Sequence, residues 1–150
     1  MIKIAALVTL MMIPYSAHSD NQNWTEVEPG IFVNRPTSGG GVHIFASHDT
    51  HGSKSIFFVG LEHFFCAPEQ NSFLPSIGAP RVNGMHVEMS LSCLNGTEVY
   101  RAASPAGKVY IRNEVSGSNS LTIEFGGGNT FSYDLRGYEA VNDALDNINP

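Results

Sequence analysis

The sequence predicts an all-β fold: an antiparallel sandwich-like or barrel-like sheet of about 7–8 strands with one short C-terminal helix. Three observations carry this expectation. Apolar and polar residues alternate with period 2 through most of the stretch after Met85. Clusters of Gly, Pro, Asn and Ser punctuate those alternating runs. Helical spacing of apolar residues is confined to the end, where Tyr138, Val141, Ala144, Leu145 and Ile148 form one stripe.

In chain order, Met1–Ser19 has one lysine near its start, an apolar run from Ile4 to Ile13, Pro14, and small residues ending in Ala17 and Ser19. This is the pattern of a secretory signal peptide cleaved before Asp20. The run is shorter than the roughly 20 residues a spanning helix needs, so no stable membrane anchor is expected. Residues 20–150 then form a single exported β-domain. Asp20–Pro29 is polar apart from Trp24 and reads as a lead-in segment. Ile31–Asn34 is a short strand stopped by Pro36 and the run Ser38-Gly39-Gly40-Gly41. Val42, Ile44 and Ala46 alternate with His43, Phe45 and Ser47 in a second strand, followed by a polar connection from Ser47 to Lys54. Ser55–Val59 and Glu62–Cys66 are aromatic-rich strands, or one strand broken near Gly60. Ala67–Arg81 holds Pro68, Pro75, Gly78 and Pro80 and is expected to be a long irregular loop.

The next stretch, Arg81–Ala103, organises the rest. Val87, Met89, Leu91 and Cys93 alternate with Glu88, Ser90 and Ser92, so Cys93 points into the core. Asn95-Gly96 suits both central positions of a type I′ turn, and Thr97–Ala103 folds back as the partner strand. Ser104-Pro105-Ala106-Gly107 reads as a further turn leading into a strand at Lys108–Val115. Leu121, Ile123 and Phe125, then Phe131, Tyr133 and Leu135, form two more strands around Gly126-Gly127-Gly128. Met85–Leu135 is thus expected to be a five-strand meander.

Composition excludes some functions. The chain carries a formal charge of −6, and loss of Lys3 with the leader makes it one unit more acidic. Nucleic acid and anionic membranes would gain no counterion release from such a surface. The two cysteines, Cys66 and Cys93, survive processing into an oxidising compartment, where they can form only one intramolecular bridge. That bridge closes a loop of about 28 residues, for which chain entropy gives roughly 3.5 kcal/mol.

The one cluster with metal-ligand chemistry is His43, His48, Asp49, His51 and His63, with His86 further on. Zn²⁺ or Cu²⁺ needs three or four such ligands converging, and no sharp ligand spacing is present. Solvated loop histidines therefore compete with a metal site, and no cofactor is expected. Asp49-Thr50-His51-Gly52-Ser53 lacks the strained elbow of a hydrolase nucleophile, and neither glycine run precedes a phosphate-binding helix. Catalytic residues: none.

The order Asn83-Gly84…Val87, Cys93, Asn95-Gly96, Pro105-x-Gly107…Ile111 and Phe131-Ser132-Tyr133…Leu135…Gly137-Tyr138 before a short helix resembles small exported proteobacterial β-proteins. Among these, its ending is similar to that of the invasion-associated locus B proteins. The resemblance spans Asn83 to Leu145 and implies an exported β-domain engaged in interaction, with no reaction attached. The expected function is a non-enzymatic periplasmic or secreted interaction protein: an inhibitor, an immunity factor or an envelope-complex subunit. The alternative is a metal-binding protein or small metalloenzyme using the histidine loop. Interaction candidates are Phe64 and Phe65, which form an adjacent pair like Phe57 and Phe58, together with Phe73 and Leu74 on the long loop, with another protein as partner. The competing role for Phe73 and Leu74 is to plug the open end of the sheet.

Overall fold

The computed structural model describes residues 23–62 and 64–148. The expected signal peptide, Met1–Ser19, and His63 lie outside the described residues. The strands are β1 (Trp24–Glu28), β2 (Ile31–Asn34), β3 (Val42–His48), β4 (Lys54–Gly60), β5 (Ser72–Leu74), β6 (Arg81–Val82), β7 (Met85–His86), β8 (Met89–Leu94), β9 (Thr97–Ala102), β10 (Ser120–Glu124) and β11 (Thr130–Asp134). Helix α1 (Pro105–Gly117) lies between β9 and β10, and α2 (Tyr138–Asn147) follows β11. The strands form two antiparallel sheets, ordered β1-β2-β3-β4-β9-β8-β5 and β11-β10-β6-β7. The expected mainly β, sandwich-like architecture with a C-terminal helix is present, and the large sheet stays open with β1 and β5 at its edges.

Register sorts the side chains of the large sheet into two faces. Ile44, Phe58, Tyr100 and Leu91 sit in one cross-strand row, and Val42, Gly60, Glu98 and Cys93 in the next. These rows are buried in one core with Val82, Leu121, Ile123, Phe131 and Tyr133 of the small sheet, Ile111 and Val115 of α1, and Val141 and Leu145 of α2. The opposite face carries Val33, Phe45 and Phe57 in one row, and His43, Val59, Val99, Ser92 and Phe73 in another. Three long-range hydrogen bonds tie the layers together: Trp24 Nε1 to the Leu135 carbonyl (3.3 Å), Asn34 Nδ2 to the Asp134 carbonyl (2.7 Å) and the Tyr133 hydroxyl to the Val42 carbonyl (2.9 Å).

Several local expectations are corrected. Lys108–Val115 is helical, so Met85–Leu135 comprises strands on either side of a helix and no five-strand meander. The reason is a start signal: the Ser104 hydroxyl accepts from the Gly107 N–H at 3.0 Å, and Pro105 occupies the first helical turn, where its missing N–H costs nothing. Gly107, Ile111 and Val115, four residues apart, then form the buried stripe. A Cβ on Gly107 would lie 3.0 Å from Val87 Cγ1 and 3.2 Å from Ala102 Cβ, so the small residue sets how closely α1 sits on the sheet. The expected lead-in segment contains β1, which pairs antiparallel with β2. Among the described residues of Glu62–Cys66 there is no strand, because β4 ends at Gly60. The long loop contributes β5 to the sheet edge, and Asn83-Gly84, with φ of 46° and 82°, makes a second tight hairpin between β6 and β7.

Candidate functional site

The segment from Phe64 to Arg81 is fixed at both ends and along its length, and it holds all four interaction candidates. Its first anchor is Glu98. The two-residue turn Asn95-Gly96, with φ of 52° and 81°, sets Cys93 opposite Glu98, and the period-2 alternation turns both inward. Glu98 is fully buried. One carboxylate oxygen accepts the backbone N–H groups of Phe65 and Cys66, the latter at 2.9 Å, and the other accepts the Tyr100 hydroxyl. Burial, reinforced by the hydrogen bond and charge of Glu98, raises the Tyr100 pKa far above the usual phenol range.

The second anchor is the disulfide between Cys66 and Cys93, with Cα atoms 5.7 Å apart, as the cysteine count requires. Beyond it, the Gly96 N–H donates to the Gln70 carbonyl (2.9 Å) and the Asn95 N–H to Asn71 Oδ1 (2.9 Å), so the loop lies against the β8–β9 turn. Strand β5 pairs with β8, then the Ile77 N–H donates to the Met89 carbonyl (2.9 Å) and the Met89 N–H to the Gly78 carbonyl (3.0 Å). This backbone pairing explains how a proline-rich stretch stays ordered.

On this frame four large apolar side chains are exposed: Phe64 (43%), Phe65 (59%), Phe73 (63%) and Leu74 (45%). Phe73 and Leu74 therefore do not plug the end of the sheet. The structure brings Phe64 and Phe65 together at a cleft between the sheets, a cavity of about 180 Å³ that Tyr100, Phe125 and Phe131 also line. Phe65 meets Tyr100 edge-on (centroids 6.5 Å), Tyr100 meets Phe125 (5.1 Å), and Phe125 meets Phe131 (6.0 Å). A wider groove of about 610 Å³ shares Phe65 and Phe125 and runs along Ile77–Arg81. Alternation along β5 separates Phe73 from Leu74: Phe73 shares the outer row with Ser92 and Val99, and Leu74 shares the core row with Leu91.

The histidine candidates are dispersed. His43 and His48 lie at opposite ends of β3, about 16 Å apart along a strand and pointing to opposite faces. Asp49 Oδ1 accepts the N–H groups of His51 (2.8 Å) and Ser53 (2.9 Å), closing the β3–β4 turn and lowering the Asp49 pKa. His86 bonds locally to Arg81 and to the Ala79 carbonyl. Among the described residues no three His, Cys, Asp or Glu side chains converge as metal ligands.

Glu98 and Tyr100 were the residues that motif reading passed over. Their signal was present, since a glutamate at an inward position of an alternating strand, opposite an inward cysteine, must have buried partners. Comparison with protein-family models, curated proteins and solved structures returns no match.

Proposed function

We propose that the protein is a non-enzymatic interaction protein of the periplasm or the extracellular space, binding another protein through the Glu62–Arg81 segment and the aromatic cleft beside it. The observation that carries this reading is the exposure of Phe64, Phe65, Phe73 and Leu74 on a segment pinned by a disulfide and a buried carboxylate. A pinned segment loses little conformational entropy on binding, and aromatic side chains concentrate interface energy. The cleft admits one side chain of a partner beside Phe65. The exported compartment is supported by the paired cysteines, the leader-like first nineteen residues and the motif resemblance of the C-terminal half. An inhibitor, an immunity factor or an envelope-complex subunit fits equally.

The test uses mature, oxidised protein as bait in periplasmic extract, compared with Phe65→Ala and Phe73→Ala. An exposed phenylalanine should change stability by no more than about 0.5 kcal/mol on truncation, against 3–5 kcal/mol for a core position. Loss of a specific captured protein with an unshifted melting temperature is the expected result. Equal capture by wild type and by a variant lacking all four exposed side chains would overturn the proposal.

A further inference from the structure

We infer that the outer face of the large sheet carries a carboxylate-binding site built on Arg101, separate from the Glu62–Arg81 segment. Arg101 lies opposite Ser90 on the outer face of β9, half-buried, with its guanidinium carbon 5.0 Å from the Phe57 ring centroid. Phe57 in turn stacks on Phe45, with centroids 5.4 Å apart. The ring holds the guanidinium in place, so its planar donor edge is pre-organised.

This cation is under-compensated. Lys54 pairs with Asp146 and Arg136 with Asp134, whereas among the described residues no carboxylate lies within ion-pair distance of Arg101. A partly desolvated guanidinium without a counter-charge is costly, and burial lowers its pKa in consequence. An anion arriving from outside relieves that cost.

The space for it exists. Arg101 and Phe57 line a cavity of about 390 Å³ together with Ser47, Ser55 and the β3–β4 turn residues His48, Asp49 and Thr50. The Ser47 hydroxyl donates to the His48 carbonyl at 3.2 Å, and the Ser55 hydroxyl makes no hydrogen bond among the described residues, leaving it available to a ligand oxygen. One guanidinium matches a single negative charge, and its fork matches the two oxygens of a carboxylate. A phosphate dianion would leave excess negative charge beside Asp49. The Asp49 carboxylate, held by the His51 and Ser53 N–H groups, stays ionised at the cavity mouth and therefore weakens the site. Two sources supply this chemistry: a free small carboxylic acid or the C-terminus of a polypeptide.

The experiment is an NMR titration of the mature, oxidised protein with sodium acetate, with inorganic phosphate, with a short peptide bearing a free C-terminal carboxylate, and with the same peptide amidated. Sodium chloride at equal ionic strength is the control. Saturable shifts at Ser47, Ser55 and Arg101 are expected with acetate and the free-acid peptide and not with the amide. The tighter of the two identifies the source. Arg101→Gln should weaken binding at least about tenfold, and Asp49→Asn, whose side-chain oxygen still closes the turn, should tighten it about two- to fivefold. Should Arg101→Gln lower the melting temperature, Arg101→Lys keeps the charge, removes the fork, and should still lose affinity. Shifts no larger than those of sodium chloride, binding indifferent to Arg101, or inorganic phosphate binding tighter than acetate would each overturn the assignment. Capture of a protein through Phe65 and Phe73 is read independently of this outcome.

Discussion

Replacing Glu98 tests whether one buried carboxylate holds the candidate interface in place. Its side chain serves three donors at once, the Phe65 and Cys66 N–H groups and the Tyr100 hydroxyl, inside a fully buried site. Glu98→Ala strips all three of their acceptor, at about 1–3 kcal/mol each, partly offset because no carboxylate then needs desolvating; the net expectation is about 3–6 kcal/mol. Glu98→Gln keeps one acceptor oxygen for the two N–H groups and loses the charge, so about 1–2 kcal/mol is expected. Urea unfolding of oxidised protein gives these differences, and hydrogen exchange locates them. In Glu98→Gln the Phe65 and Cys66 amides should exchange faster while those of Ile44 and Leu121, in the two sheets, keep their protection. A Glu98→Ala variant within about 1 kcal/mol of wild type, with both amides still protected, would refute the reasoning and assign the anchoring to the disulfide and the backbone pairing beyond it.

Other expectations follow from the same geometry. Replacing Cys66 and Cys93 together by serine should cost about 3.5 kcal/mol by urea unfolding and should abolish partner capture before it abolishes folding. Ser104→Ala removes the cap of α1 and should cost about 1 kcal/mol, measured as a shift in melting temperature. The His43 pKa is lowered from 6.5 by burial and by Arg35, so the unfolded chain binds more protons than the native protein just below that value. Stability should therefore fall as the pH drops through 6.5 and level off below the folded pKa. Denaturation at pH 8 and pH 5 should show a smaller loss for His43→Gln than for wild type.

The strands legible in the sequence were those whose two faces meet different environments. β3, β8, β10 and β11 alternate because one face packs in the core and the other does not, and the Asn95-Gly96 turn fixed its hairpin by backbone conformation alone. Helix α1 was obscured because Val109, Ile111 and Val115 are β-branched, while its buried stripe uses a glycine that no hydrophobic pattern counts. Ser104-Pro105 was the readable counter-signal, and it outweighs propensity once the cap is recognised. β1 and β5 escaped notice for another reason: both are edge strands with one paired neighbour each, and apart from Trp24 their side chains are exposed, so burial writes little pattern into them.

The candidate site shows why pattern reading stops short of function. Cys93 and Glu98 are fixed opposite each other by a two-residue turn, so the sequence encodes both anchors of the segment within six residues. What they anchor is set by the partner of Cys93 and by two backbone N–H groups, and backbone donors leave no trace in composition. Phe73 and Leu74 are the sharper case. As neighbours in sequence they read as one apolar patch, yet pairing of β5 with β8 sends them to opposite faces of the sheet edge. Only Leu74 therefore shares a face with the core-side cleft, and Phe73 shares the outer face with Arg101. A single partner engaging both must wrap the β5 edge, where an added strand finds the unpaired backbone side of an edge strand. Phe73→Ala and Leu74→Ala should then weaken capture to a similar degree, whereas a partner seated only in the cleft, which Phe64 and Phe65 line and neither Phe73 nor Leu74 does, would ignore both.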